Sequence, residues 1–136
     1  MSNNKPGISD NEMLIRQLIE NWAAAVRSGD IDKILAHHSA DIVMYDVPKP
    51  FQSIGIAAYR KTWDTFFAYT KPGVFDIQEL NVIADQQVAF CYATMKCADK
   101  SNSVDYMDLD FRLTIGLIKI DNLWTIVHEH HSIPSE

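Results

Sequence analysis

Apolar and polar positions change rhythm midway along the chain. In the first half, Ile15, Leu18, Ile19, Trp22 and Val26 recur at helical spacing, which predicts one buried stripe on a helix running to Ser28. Ahead of it, Ser9-Asp10-Asn11-Glu12 has the form of a capping box, and Gly29 suits the left-handed residue that closes such a helix. Asp30 then caps a short second helix that turns Ile31, Ile34 and Leu35 inward. His37 and His38 fall near its end, as a surface C-terminus where a positive ring suits the helix dipole. A short strand over 41–47 follows. Pro48 and Pro50 forbid regular structure as far as Ser53. Helical spacing returns after Gly55 with the aromatic stripe Ile56, Tyr59, Trp63, Phe66 and Phe67, and Lys71-Pro72-Gly73 stops it.

The second half reads as strand throughout. Runs over 74–84, 87–98 and 106–120, and a last one from Leu123 to Pro134, are separated by Asp85-Gln86, a polar turn over 99–103, and Asp121-Asn122. Two-residue turns between long strands predict antiparallel hairpins. The fold class is therefore α+β: N-terminal helices packed into a strongly curved, mostly antiparallel sheet, leaving a conical cavity. One domain over 9–136 is expected, after a loose polar tail over 1–8.

The last strand concentrates the candidate chemistry, with three of the five histidines. Under strict alternation Trp124, Ile126, His128, His130 and Ser132 share a face. In the strand before it, Met107, Leu109, Phe111, Leu113, Ile115 and Leu117 share one parity, and Tyr106, Asp108, Asp110, Arg112, Thr114 and Gly116 the other. If the apolar set meets a second copy of the chain as a homodimer seam through the outer sheet face, the polar set lines the cone. Arg112 would then offset Asp108 or Asp110 and lie across from His128 and His130. Two alternatives stand beside this: the faces are reversed, or a bulge changes parity midway.

Composition narrows the function. The net charge is −6 with no basic cluster, so neither nucleic acid nor an anionic membrane is an expected partner. No apolar run is long enough to span a bilayer, and residues 1–7 lack a secretory signal core. Cys91 and Cys97 share one predicted strand about 20 Å apart, too far for a disulfide, so they read as plain buried thiols in a reducing cytoplasm. His128-x-His130 has the spacing of a two-histidine metal site but would need a third ligand from elsewhere, such as Asp46 or Asp110; two ligands do not make a site, and neither a metal nor a cofactor is expected.

Three stretches together resemble a known family: Ile34 to Pro48, Gly55 to Trp63, and Arg112-Leu113-Thr114 leading to Trp124 through Pro134. The chain resembles the SnoaL-like group of ketosteroid isomerase homologues in the nuclear transport factor two-like superfamily. That resemblance implies the cone-shaped α+β fold, and a membership of isomerases, cyclases and dehydratases. Ketosteroid isomerases use a tyrosine on the first helix to hold the developing enolate, and the inward aromatic of this helix is Trp22. Their base lies on the strand after the second helix, where Asp46 stands. Their second acid lies on a later strand, where Asp108 or Asp110 corresponds loosely.

The expected function is acid/base chemistry on a small, partly apolar carbonyl compound, of isomerase or polyketide cyclase type. Asp46 or His130 removes a proton, and Arg112 with His128 steadies the oxyanion. Trp22, Tyr45, Tyr59, Trp63, Phe67, Asp108 and Asp110 line the substrate. The alternative is a non-catalytic dimeric module that binds a ligand or a protein partner, its cavity closed by Trp22, Trp63 and Phe67.

Overall fold

The computed structural model describes residues 8–101 and 109–135. Helices α1 (Ile8–Ser28) and α2 (Ile31–Leu35) come first, then strands β1 (His38–Tyr45) and β2 (Ser53–Ile54), then helix α3 (Ile56–Tyr69). Four long strands follow: β3 (Thr70–Ala84), β4 (Val88–Asp99), β5 (Leu109–Ile120) and β6 (Leu123–Ser132). They form one sheet in the order β2-β1-β6-β5-β4-β3. All neighbours are antiparallel except β1 and β6, which run parallel. The expected α+β architecture is present, a mixed and mostly antiparallel sheet with helices over one face.

Local chemistry explains most of the boundaries. Ile15, Ile19, Trp22 and Val26 are buried as the α1 stripe. Gly29 closes that helix at φ 70°. The Asp30 side chain accepts from the Lys33 amide and starts α2, whose Ile34 is fully buried. Asp121 and Asn122 both take positive φ, 49° and 67°, the conformation that a two-residue hairpin turn demands. Three expectations shift. α1 already includes Ile8, so Ser9 lies inside the helix; its capping contacts, like residues 1–7 of the tail, fall outside the described portion. β1 begins at His38, three residues early. β3 begins at Thr70 and runs through Pro72 and Gly73; it is an edge strand, and an edge tolerates a proline that donates nothing to the ladder.

The faces of β5 are the reverse of the expected ones. Phe111, Leu113, Ile115 and Leu117 are buried beneath the helices, whereas Asp110, Arg112 and Thr114 are exposed on the outer face. Burying the charged set would cost more than its pairing returns, while each buried aliphatic side chain contributes about 1.5–3 kcal/mol. The proposed seam of Leu109, Phe111, Leu113, Ile115 and Leu117 is therefore core; Met107, Tyr106 and Asp108 lie outside the described residues.

β6 carries a bulge. Its pairing with β5 steps from Leu117↔Ile126 to Gly116↔His128, leaving Val127 as the extra residue. Trp124 and Ile126 point inward before it, and Glu129 and His131 after it. Strict alternation had placed Glu129 and His131 on the face opposite Trp124.

Asn11 pins α1 to the far ends of two hairpins. Its Oδ1 accepts from Trp124 Nε1 at 3.2 Å and Lys119 Nζ at 3.1 Å, and its Nδ2 donates to the Asp85 carbonyl at 3.2 Å. Asn11→Ala strands a buried indole N–H, so urea denaturation should show a loss of about 1–3 kcal/mol; an unchanged midpoint would show that Asn11 pins nothing.

Candidate active site

The inner end of β6 meets β1 and α3 around one carboxylate. Glu129 is completely buried. Its Oε2 lies 2.7 Å from His38 Nε2 and accepts the Tyr59 hydroxyl at 2.7 Å. Its Oε1 faces His131 Nε2 at 3.2 Å. Trp22 Nε1 donates to the Tyr59 oxygen at 3.3 Å, which in turn lies 3.0 Å from His38 Nε2. The His38 and Tyr59 rings stack with centroids 4.8 Å apart. Four elements thus contribute: Trp22 from α1, His38 from β1, Tyr59 from α3, and Glu129 with His131 from β6.

The hydrogen-bond roles follow from the partners. His38 Nδ1 lies 2.9 Å from the Ala36 carbonyl, which only accepts, so Nδ1 carries a proton. Nε2 faces a carboxylate and a phenol oxygen whose own proton goes to that carboxylate. One proton must therefore sit between His38 Nε2 and Glu129 Oε2. Burial alone would raise the Glu129 carboxyl, but hydrogen bonds from His131 and His38, and the charge of those rings, outweigh it and hold the group at about 2. Burial and then the Glu129 charge push the Tyr59 phenol well above its ordinary value, so it stays a donor. Burial followed by the same charge lifts the neighbouring Cys91 thiol to about 12. Cys91 and Cys97 are both buried and not joined in a disulfide, and Cys91 at that value is no nucleophile.

Aromatic rings enclose the cluster. Trp63 packs against Trp22 (5.7 Å), Tyr59 (6.2 Å), Phe75 (5.8 Å) and His131 (6.3 Å), and His131 stacks on Phe111 at 5.8 Å. On the other side of Trp22 a groove of about 770 Å³ opens between α1, the end of α2 and the β5–β6 turn. Two of its wall residues tie directly to the cluster: Trp22 through Tyr59, and Ala36 through His38.

The sequence-derived candidates divide. Trp22, Tyr59 and Trp63 are brought together inside, with half-buried Phe67 against Trp63 at 6.1 Å. The rest are not inside. Arg112 is exposed and donates from Nε to Ser132 Oγ at 3.1 Å. Asp110 is exposed and paired with Lys96. His130 is exposed beside Tyr45, and half-buried His128 bonds the Val43 carbonyl through Nδ1 at 2.7 Å. Asp46 lies just past β1, bonds the Val47 amide at 2.8 Å and lines a separate hollow of about 270 Å³. Asp108 lies outside the described residues. The placement of Arg112, His128, His130 and Asp110 in the cone is thus corrected, because β5 shows its other face and Val127 shifts the phase of β6. His38, Glu129 and His131 were missed as site residues. His38 was read as a surface helix end, yet its side chain is fully buried. Among the described residues no group of three or more His, Cys, Asp or Glu is placed to hold a metal ion, and no helix is long and apolar enough to cross a membrane.

The profile of the SnoaL-like domain matches residues 15–136. The chain belongs to the SnoaL-like family. An NTF2-like protein of unknown function from Pseudomonas putida KT2440 is 32% identical, with a TM-score of 0.85 over 96% of this chain and 91% of that one. A ketosteroid isomerase-like protein from Erwinia carotovora atroseptica SCRI1043 shares the fold at 17% identity and a TM-score of 0.75, over 93% and 98% of the two chains. An NTF2-like superfamily protein from Salmonella enterica serovar Typhimurium LT2 shares it at 14% identity and 0.76, over 94% of each. No curated protein matches the chain.

Because the Glu129 carboxyl is depressed in the fold, it contributes stability that is fully present above the unfolded value near 4.5 and lost as pH falls through about 2. The stability gap between wild type and Glu129→Gln, measured in urea at each pH, should narrow between pH 4.5 and pH 2 by about 3 kcal/mol. A constant gap would mean the carboxylate is not held ionised by its imidazoles.

Proposed function

We propose that this SnoaL-like cone binds a small, largely apolar carbonyl compound and moves a proton on the carbon beside the carbonyl. Glu129 takes that proton; as it does so, the Tyr59 O–H that bonded the carboxylate turns to the enolate oxygen, and Glu129 returns the proton to a neighbouring carbon, giving an isomerised product, or to the oxygen formed on ring closure, giving a cyclised one. The observation that carries this reading is the buried Glu129 carboxylate, held within 2.7 Å of His38 Nε2 and of the Tyr59 hydroxyl in aromatic surroundings. Fixed donors in a dry site are worth most where charge develops. The groove behind Trp22 is of ligand size. The acid/base roles first given to Asp46, His128, His130 and Arg112 pass to this cluster, and two buried thiols outside any disulfide fit a reducing cytoplasm.

Deuterium uptake at the α-carbon of aryl ketones such as 2-tetralone, followed by NMR in D₂O, tests it. Wild type should accelerate the exchange, and Glu129→Gln and His38→Gln should each lose about 100-fold or more. Exchange no faster with wild type than in buffer sinks the catalytic reading. The edge-to-face packing of Trp22, Trp63 and Phe75 favours a second reading, a ligand-binding module, for which saturable binding without exchange is the expected result.

We further propose a homodimer through the outer sheet face, with a seam of different residues from the one first expected. Val88, Phe90, Tyr92 and Ile118 lie 61%, 45%, 46% and 40% exposed there, an apolar patch of the sort that marks an interface. Sedimentation should give twice the 15.5 kDa chain mass for wild type and the single mass for Phe90→Glu with Tyr92→Glu. A monomeric wild type refutes the dimer.

A further inference from the structure

The groove behind Trp22 has apolar walls and one basic end. Leu14 and Leu18 of α1, with Leu123 and Trp124 of β6, wall its body. Its ionisable wall residues are Lys33 of α2 and His37 just past that helix. No Asp or Glu lines it among the described residues, although acids outnumber Lys and Arg by 18 to 12 along the chain. Lys33 is held loosely: its ammonium lies 3.9 Å from the Asp30 carboxylate with both side chains exposed, and such a pair restrains little. The His37 ring has neither a hydrogen bond nor a ring contact among the described residues. Its backbone takes φ 62° directly after the Ala36 cap, where a helix most often carries a glycine. A side chain is strained there relative to glycine, and this one keeps a ring N–H donor in either tautomer. The Ile126 amide bonds the His37 carbonyl at 2.8 Å, which fixes the residue against β6.

An apolar slot with an ammonium and an imidazole at one end fits a molecule with an apolar body and one terminal acid. A carboxylate there pairs with Lys33 Nζ and accepts from the His37 ring, and such charge-assisted bonds are about twice as strong as neutral ones. A neutral amide of the same shape gains much less. We infer that the groove binds an aryl or alicyclic carboxylic acid, its carboxylate against Lys33 and His37 and its apolar body along α1 and β6. Where the proposed carbonyl chemistry holds, and on that reading alone, the substrate is a keto acid; the acid site needs only the groove.

The probes are 1-naphthylacetate and its neutral amide, 1-naphthylacetamide, titrated into the full chain by calorimetry at low salt. Wild type should bind the acid about ten-fold or more tightly than the amide, and the acid should shift the Trp124 indole resonance of ¹⁵N-labelled protein with the same Kd. High salt should weaken the acid and not the amide. In Lys33→Gln with His37→Asn, where asparagine tolerates the left-handed backbone, the acid should fall to the affinity of the amide while the amide keeps its own. Lys33→Arg should retain the preference. Equal affinity of wild type for the two probes overturns the inference, as does a preference that survives the double substitution or binding of neither probe. The ketone exchange assay reads a separate property. No exchange with the acid preference intact removes the catalysis and keeps this site, whereas exchange with equal affinities removes this site alone.

Discussion

A carboxylate without water governs this structure. Removing an ion of that size from solvent costs several kcal/mol even after the protein relaxes, and stripping away one partner of a buried pair costs about 3–5 kcal/mol. Glu129 is tolerated because four groups from separate parts of the chain converge on it or on its phenol: His38, His131, Tyr59 and, through Tyr59, Trp22. Each of those groups is in turn fixed by its element. The Ala36 carbonyl orients His38, the helical spacing of α3 aims Tyr59 and Trp63 to the same side, and Phe111 backs His131. The sheet order needs the parallel β1–β6 pair for this convergence, since it brings the start of β1 beside the last strand.

The Val127 bulge does the corresponding work along β6. Without it, Trp124 and Ile126 could point inward only with His128 and His130 following them, and Glu129 would lie in solvent. One extra residue lets the same strand fill the core at its start and deliver an acid at its end. Bulges gather beside functional sites for this reason. The residues displaced outward, His128 and His130, settle against Tyr45 with ring centroids 4.8 and 5.4 Å away.

What the sequence revealed follows from which signals are local. The helices, the Asp30 cap, the Asp121-Asn122 turn and the long hairpins all rest on chemistry within a few residues, and the family resemblance rested on equally local runs, Ile34 to Pro48, Gly55 to Trp63, and Arg112-Leu113-Thr114 with Trp124 through Pro134. The aromatic members of the cluster were legible too, because Tyr59 and Trp63 sit four apart on a helix. Which sheet face points inward depends instead on what packs across it. Assigning the apolar parity of β5 to a partner copy reversed the polar residues of both strands. Had Leu113 and Ile115 been turned inward, their antiparallel neighbours His131 and Glu129 would have followed directly. His38 was hidden for another reason. His37 takes a left-handed φ of 62°, and that one turn of the backbone converts a helix end into the first residue of a strand.

The aromatic enclosure makes the cluster chemically potent and restricts what it can do. With few competing dipoles nearby, the proton between His38 and Glu129 feels its two owners strongly, and Tyr59 remains a phenol because burial, and then the charge of Glu129, disfavour its anion. A cluster of this kind can exchange one proton with a bound substrate, because the charge of the two together stays constant, but it resists a change in that total. Such a site suits a reaction in which a neutral substrate loses a proton from one carbon and regains it at another. It suits poorly a reaction that leaves an anion behind, because the apolar walls that sharpen the first process offer nothing to solvate the second.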